Sequence, residues 1–175
     1  DIPSTVDVKG IEHANLREII KEKMRLNGYK CNCIRCREPM GKILDFSKLK
    51  FKILRYNASK GKEFFISANI DDTIVGFCRL RFPFEYLRKE INEKTGLIRE
   101  LHVYSSAIGL GERVEGNLQH KGIGIRLMKI AEKIALKNDK NKLLVISGIG
   151  VKRYYSEKLG YKKEGPYMCK MLDEI

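Results

Sequence analysis

Three groups of residues in this sequence have the types and spacing for chemistry. The first is the run Gln119-His120-Lys121-Gly122-Ile123-Gly124-Ile125, which follows a β-type stretch at 97–104 and opens a segment whose apolar residues recur at helical spacing. Its two glycines would leave no Cβ in the way of a ligand. The unpaired amides of a first helical turn, with the helix dipole behind them, suit an anion such as a pyrophosphate. A dinucleotide fold would add a third glycine and an acidic residue about 20 positions on, and both are missing; plain turn chemistry is the competing reading. The second group can handle protons. Glu100 would serve as a general base if burial raised its pKa, and would otherwise be a solvated strand residue. His102 and His120 titrate near neutral pH, with a satisfied core histidine as the alternative for His102. The third group is Cys31-x-Cys33-x-x-Cys36. A tight loop can converge three thiols on one soft cation, and Zn²⁺ is the usual occupant of such a site. A tetrahedral structural site wants a fourth ligand, for which Cys78 and His13 are the candidates; three ordinary thiols are the alternative. Arg35 and Arg37 within this loop, with Lys30 and Lys42 beside it, form a basic patch suited to phosphate.

Elements must position these groups, and the chain has room for them. Its 175 residues fit one domain with a short appendage, and 43% hydrophobic content with 15 Gly and 4 Pro is globular rather than disordered. The net charge of +13 favours an anionic partner. Nucleic acid ranks ahead of a membrane, because no basic amphipathic stretch is long or aromatic enough to insert; a lysine-rich solvated surface is the alternative. No apolar run approaches the ~20 residues of a bilayer span and no signal peptide opens the chain, which predicts an intracellular, cytoplasmic protein. A start at Asp1 rather than Met predicts a piece of a longer chain. Five cysteines, three of them within six positions, argue against a disulfide framework.

Residues 13–27 place Leu16, Ile19, Ile20 and Met24 on one helical face, and Gly28 stops the helix. The basic residues Arg17, Lys21, Lys23 and Arg25 fall on the opposite face. Residues 49–58, 62–70 and 73–82 are rich in β-branched and aromatic residues and are separated by turn residues, which predicts an antiparallel meander. Residues 84–94 fit a helix or a loop. A strand at 97–104, a long loop at 105–121, a helix at 122–138, a buried strand at 143–147, a helix at 151–159 and terminal strands at 161–172 complete the order. The helix at 122–138 is expected to bury Ile125, Met128, Ile130, Ala131 and Ile134. Tyr154 and Tyr155 fall early in the helix at 151–159, where neighbours are not expected to face one pocket. The whole is a mixed α/β sheet with one parallel crossover.

The Gln-x-x-Gly-x-Gly loop resembles the pyrophosphate loop of GCN5-related N-acetyltransferases (GNAT), which bind acetyl-CoA. A wider set narrows the resemblance: Asp1-Ile2-Pro3-Ser4-Thr5, the cysteine run, Arg99-Glu100-Leu101-His102-Val103-Tyr104, Gln119-His120, Val145-Ile146-Ser147-Gly148, Tyr154-Tyr155 and Gly165-Pro166-Tyr167-Met168. In this order they are similar to the family of the Elongator catalytic subunit, the radical-SAM tRNA acetyltransferases. The resemblance implies a GNAT-like mixed sheet with an antiparallel N-terminal meander and flanking helices (43–175), behind a linker helix and small cysteine-rich metal-binding segment (1–42). It implies that Gln119, Lys121, Gly122, Ile123, Gly124 and Ile125 hold the acetyl-CoA pyrophosphate. Glu100, Leu101, His102 and Val103 would pair with the pantetheine arm. Tyr155, with Tyr154 as the neighbouring candidate, would supply a proton to the departing sulfur, two core aromatics being the alternative; Glu100 and His102 stay candidates for the remaining proton transfers. The family spacing between Tyr155 and Gly160 is one residue shorter, which leaves the register of this helix open. The implied activity is acetyl-CoA-dependent carboxymethylation of the tRNA wobble uridine, with other Elongator subunits as further partners. The radical half, its iron–sulfur cluster and S-adenosylmethionine would lie outside this chain, whose cysteines lack the Cys-x-x-x-Cys-x-x-Cys spacing. Rival readings of the same pocket are a protein (histone) lysine acetyltransferase and a non-catalytic RNA-binding module.

Overall fold

The β-branched and aromatic runs form the meander they predict. In the computed structural model, which describes residues 15–104 and 122–172, β1 (Lys50–Ala58), β2 (Gly61–Ile70), β3 (Thr73–Phe82) and β4 (Thr95–Val103) pair antiparallel in sequence order. Ser59 and Lys60, both at positive φ, turn β1 into β2, matching the twist of a two-residue hairpin. Helix α2 (Ile123–Leu136) lies in the crossover to β5 (Lys142–Val145), which runs parallel to β4. Helix α3 (Lys152–Leu159) leads to β6 (Lys162–Glu164) and β7 (Tyr167–Met171), giving a seven-stranded sheet in the order β1-β2-β3-β4-β5-β7-β6.

One face of the sheet packs on α2 and α3 through Ile66, Cys78, Leu80, Ile98, Leu127 and Tyr155. Each large apolar side chain withdrawn there contributes on the order of 1.5–3 kcal/mol. The buried stripe of α2 is Ile123, Gly124, Leu127, Met128, Ala131 and Ala135. The predicted Ile125, Ile130 and Ile134 are only partly buried and pack on its flanks, because the small residues let the helix axis settle close to the strands. Residues 84–94 form turns and bends rather than a helix.

Two irregularities shape β4. The β3–β4 register slips between Arg79 and Leu80, so that Arg79 faces Glu100 while Leu80 faces Ile98, leaving Arg99 as an extra residue. Such a bulge re-aims side chains. Arg99 and Glu100 both find ion-pair partners on the face away from α2, while Ile98 and Leu101 both pack on the α2 side. β4 also pairs with β5 only from Thr95 to Ile98. Beyond that point the strands part, so the β5 side of residues 99–103 has no strand partner among the described residues. Strand β5 accordingly ends at Val145, short of the predicted Ser147.

The chain divides into two compact units, Asp1–Arg37 and Glu38–Ile175. In the first, α1 (Leu16–Leu26) half-buries Leu16, Ile19 and Met24 but leaves Ile20 exposed, and a 3₁₀ turn at Ile34–Arg37 follows. No described helix is long and apolar enough to cross a membrane.

Candidate functional site: a cleft at the parting of two strands

Where β4 leaves β5, a cleft of ≈ 710 Å³ is lined by Leu101, Val103, Gly122, Gly124, Tyr154 and Tyr155, with Ile125, Val151 and Lys158 at its margins. The first turn of α2 opens onto it. Gly122 is the N-cap and makes no side-chain cap; its carbonyl accepts from the Arg126 amide at 2.8 Å, which leaves the preceding amides without intrahelical acceptors. A Cβ on Gly122 would meet nothing within 4 Å, so that side of the turn is open. At Gly124, by contrast, a Cβ would lie 2.6 Å from the Tyr154 hydroxyl. This glycine makes room for a tyrosine.

Helix α3 is short and ends at Gly160, whose left-handed conformation (φ 74°) closes it with amide bonds back to the last turn. That fixes its register. Tyr154 and Tyr155 line the same cleft, contrary to the expectation that neighbours would diverge: their rings meet edge to face at 5.5 Å, so one flanks the other. Tyr155 is 6% exposed and belongs to the core. Burial, reinforced by Cys78 and Tyr154, pushes its phenol up to about 12; burial also raises Tyr154. Ser147, just past the end of β5, carries a buried hydroxyl with no hydrogen-bond partner among the described residues.

Alternation along β4 separates the other candidates. Leu101 and Val103 face the cleft, whereas Glu100 and His102 point to the opposite face. There Glu100 pairs with Arg79 at 3.6 Å and is 42% exposed, so it lacks the burial that would suit a general base. His102 is exposed, stacks on Phe77 at 5.8 Å and meets the Tyr104 ring at 4.5 Å, and is not a core histidine. Gln119, His120, Lys121 and His13 lie outside the described residues, as does the predicted loop at 105–121.

The three thiols converge as expected: the Sγ atoms of Cys31, Cys33 and Cys36 lie within 4.8 Å of one another. Tetrahedral Zn–S bonds of about 2.3 Å place sulfurs about 3.8 Å apart, so this set fits such an ion with little adjustment. Cys78 is not the fourth ligand. It is fully buried in the sheet core, where burial pushes its thiol up to about 12. Arg17, on the basic face of α1, donates from its guanidinium to Cys36 Sγ at 3.4 Å and Cys33 Sγ at 3.8 Å. The Cys36 amide, Cys31 and Arg17 hold the Cys33 thiol down at about 6.

A further constellation escaped the sequence reading. Glu63, 2% exposed, accepts from Arg81 and Arg99 at 2.8 Å each and from the Tyr56 hydroxyl at 2.8 Å, with Arg79 at 3.5 Å. Burial pushes this carboxyl up, but Arg81, Tyr56 and Arg99 outweigh it and hold the group at about 2. The one advance signal was Arg79 and Arg81 alternating within an apolar strand.

A family model described as the acetyltransferase (GNAT) family matches residues 35–161. The tRNA uridine(34) acetyltransferase of Methanocaldococcus infernus is 44% identical over 182 residues, covering 98% of this chain and 34% of the relative. Elongator complex protein 3 of Homo sapiens is 37% identical over 98% of this chain and 33% of its own length. A solved structure, the archaeal Methanocaldococcus infernus Elp3 with an N-terminus deletion, matches with a TM-score of 0.78 at 42% identity, covering 98% of this chain and 42% of that one. The chain thus spans about a third of the length of the curated relatives it matches.

Proposed function

Because this chain belongs to the GNAT acetyltransferase family and is homologous to the tRNA uridine(34) acetyltransferases and Elongator complex protein 3 along nearly its whole length, we propose that it is the acetyl-CoA-binding part of an Elongator-type tRNA-modifying enzyme. In this reading it binds acetyl-CoA between α2 and α3 and cleaves the thioester in response to tRNA, within a whole enzyme that carboxymethylates the wobble uridine. The radical chemistry, with its iron–sulfur cluster and S-adenosylmethionine, belongs to a part of that enzyme outside this chain, and other Elongator subunits are its further partners.

The observation that carries the reading is the parting of β4 from β5 beside an open helix start. Acetyl-CoA supplies the activated acyl group. The first-turn amides of α2 around Gly122 and Gly124, with Gln119 and Lys121, hold its diphosphate. The unpaired edge of β4 offers main-chain groups to the extended arm, and Leu101 and Val103 exclude water from it. A phenol at about 12 is too weak an acid to surrender its proton to a thiolate near 8.5. Tyr155 therefore keeps its proton and stabilises the departing sulfur by donating a hydrogen bond, while Tyr154 closes the cleft at Gly124. Glu100 and His102 lie on the far face, the acceptor side in this reading, away from the departing sulfur. Cys31, Cys33 and Cys36 hold Zn²⁺ as a structural ion, and Arg17 offsets their negative charge.

Calorimetry with acetyl-CoA, followed by CoA release measured with and without tRNA or a histone-tail peptide, tests this. Binding with release stimulated by tRNA alone is the expected result. Stimulation by the peptide alone would select the protein lysine acetyltransferase, and no acetyl-CoA binding would leave an RNA-binding module.

A further inference from the structure

The Glu63 cluster contains more positive charge than the fold uses. Three guanidiniums, Arg79, Arg81 and Arg99, converge on one buried carboxylate, and among the described residues only Arg79 reaches a second one, Glu100. Arg81 is the most engaged of the three: besides Glu63 it donates to the carbonyls of Ala58 and Ser59 and so pins the β1–β2 hairpin. Arg99 and Arg79 are less so. Arg99 is 48% exposed and gives one short bond. The Nε of Arg79 is buried with no hydrogen-bond partner among the described residues, and both of its ion pairs are long, at 3.5 and 3.6 Å. The β4 bulge is what turns Arg99 and Glu100 to this face together.

Beside these arginines lies a second cleft, of ≈ 340 Å³, lined by Ser59, Arg81, Leu97, Arg99, Leu144 and Ile146, with Ile98 at the point where β4 and β5 still pair. Its floor is apolar and its rim is guanidinium, a pairing that suits a nucleotide, with the base on the floor and a phosphate at the rim. It opens along the same β4–β5 boundary as the acetyl-CoA cleft but on the opposite face of the sheet, since Leu97 and Leu144 pack in a separate cluster from Ile98 and Val145. A net charge of +13 suits a polyanion at this position, and the acceptor in the proposed reaction is an RNA, whose phosphates match guanidinium geometry.

We propose that Arg99 and Arg79, anchored on Glu63, form a binding site for a backbone phosphate of the acceptor RNA, which approaches the sheet from the face opposite acetyl-CoA. Glu63 holds both side chains in place, and the donors it leaves over receive the phosphate oxygens. The inference rests on the reading of the chain as a tRNA-dependent acetyltransferase and adds the side from which the RNA arrives.

The test compares the chain with its Arg99→Gln and Arg79→Gln variants, using a tRNA transcript in a salt series and acetyl-CoA by calorimetry. Each variant should weaken tRNA binding about tenfold, as the loss of one charge-assisted contact does. Each should lower the slope of log affinity against log salt by about 0.7 to 0.9. Acetyl-CoA affinity should hold and the melting temperature should fall only slightly, because Arg81 and Tyr56 still satisfy Glu63. Arg99→Lys should restore most of the salt slope. Unchanged tRNA affinity and slope in both folded variants would overturn the site and leave the arginines as a purely structural cluster. A chain that binds tRNA with this arginine dependence but takes no acetyl-CoA would support the site while sinking the functional reading. A chain that binds no tRNA would sink the site.

Discussion

Two glycines in one loop do different work. Gly122 faces open space at an ordinary φ of −151°, so a larger residue is tolerated by the backbone and felt only by a ligand. Gly122→Glu should therefore leave the melting temperature unchanged while weakening acetyl-CoA binding by at least about tenfold, or 1.4 kcal/mol, because a carboxylate then stands against the diphosphate. Calorimetry with acetyl-CoA checks it, and an unchanged affinity would remove this turn from the site. Gly124→Ala differs, since its Cβ must displace the Tyr154 hydroxyl 2.6 Å away. Tyr155→Phe deletes a hydroxyl that acts only as the sulfur departs, so it should slow tRNA-stimulated CoA release by about 10²-fold with acetyl-CoA affinity within twofold of the parent. A phenylalanine variant with normal turnover would return Tyr155 to the core. The raised phenol also sets the sign of its pH dependence: Tyr155 keeps its proton until pH approaches about 12 and so contributes no alkaline loss of activity below that.

Strand β4 and its neighbours join stability to function. Glu63 is held at about 2, below the usual 4.5, so its contribution is complete above about pH 5 and fades as pH falls toward 2. The gap is worth up to about 3 kcal/mol. Glu63→Gln should cost about 2–3 kcal/mol at pH 7, less than breaking a fully buried pair because Arg99 and Arg79 keep contact with water. Urea unfolding should show the parent losing stability between pH 5 and pH 2 more steeply than the variant; parallel curves would mean that Glu63 has no special role. The strands themselves were legible because Val, Ile and Phe cluster between turn residues, and the helix of the pyrophosphate loop was legible because its apolar residues recur every three or four positions. The bulge at Arg99 was not legible. A single extra residue leaves no trace in an alternating pattern, which by itself would put Arg99 and Glu100 on opposite faces. The tyrosine pair was misjudged for a similar reason: a 100° step between helical neighbours separates side chains on a flat surface but not in a concave cleft between two helices.

At the scale of the whole molecule, the candidate metal-ligating residues are segregated. The sulfurs of Cys31, Cys33 and Cys36, and the guanidinium of Arg17 that donates to two of them, all belong to the unit that ends at Arg37, whereas every residue of the acetyl-CoA cleft belongs to the unit that begins at Glu38. Among the described residues the first unit buries no residue of α1, so it has little apolar burial to set against the entropy of ordering its loop. Thiolate–metal bonds would supply that energy, and folding and metal binding would then be one equilibrium there. Metal analysis should find one Zn²⁺ per chain. Stripping it with a chelator should accelerate amide exchange in residues 29–37 by at least tenfold and open all three cysteines to alkylation, while exchange in β2 to β4 and acetyl-CoA affinity stay as they were. Cys33→Ser should reproduce the stripped state with zinc present. Fast exchange spreading through the sheet would show that the ion supports both units, and a chain that carries no metal and exchanges slowly around Cys31 to Cys36 would show that Arg17 alone neutralises the thiolates.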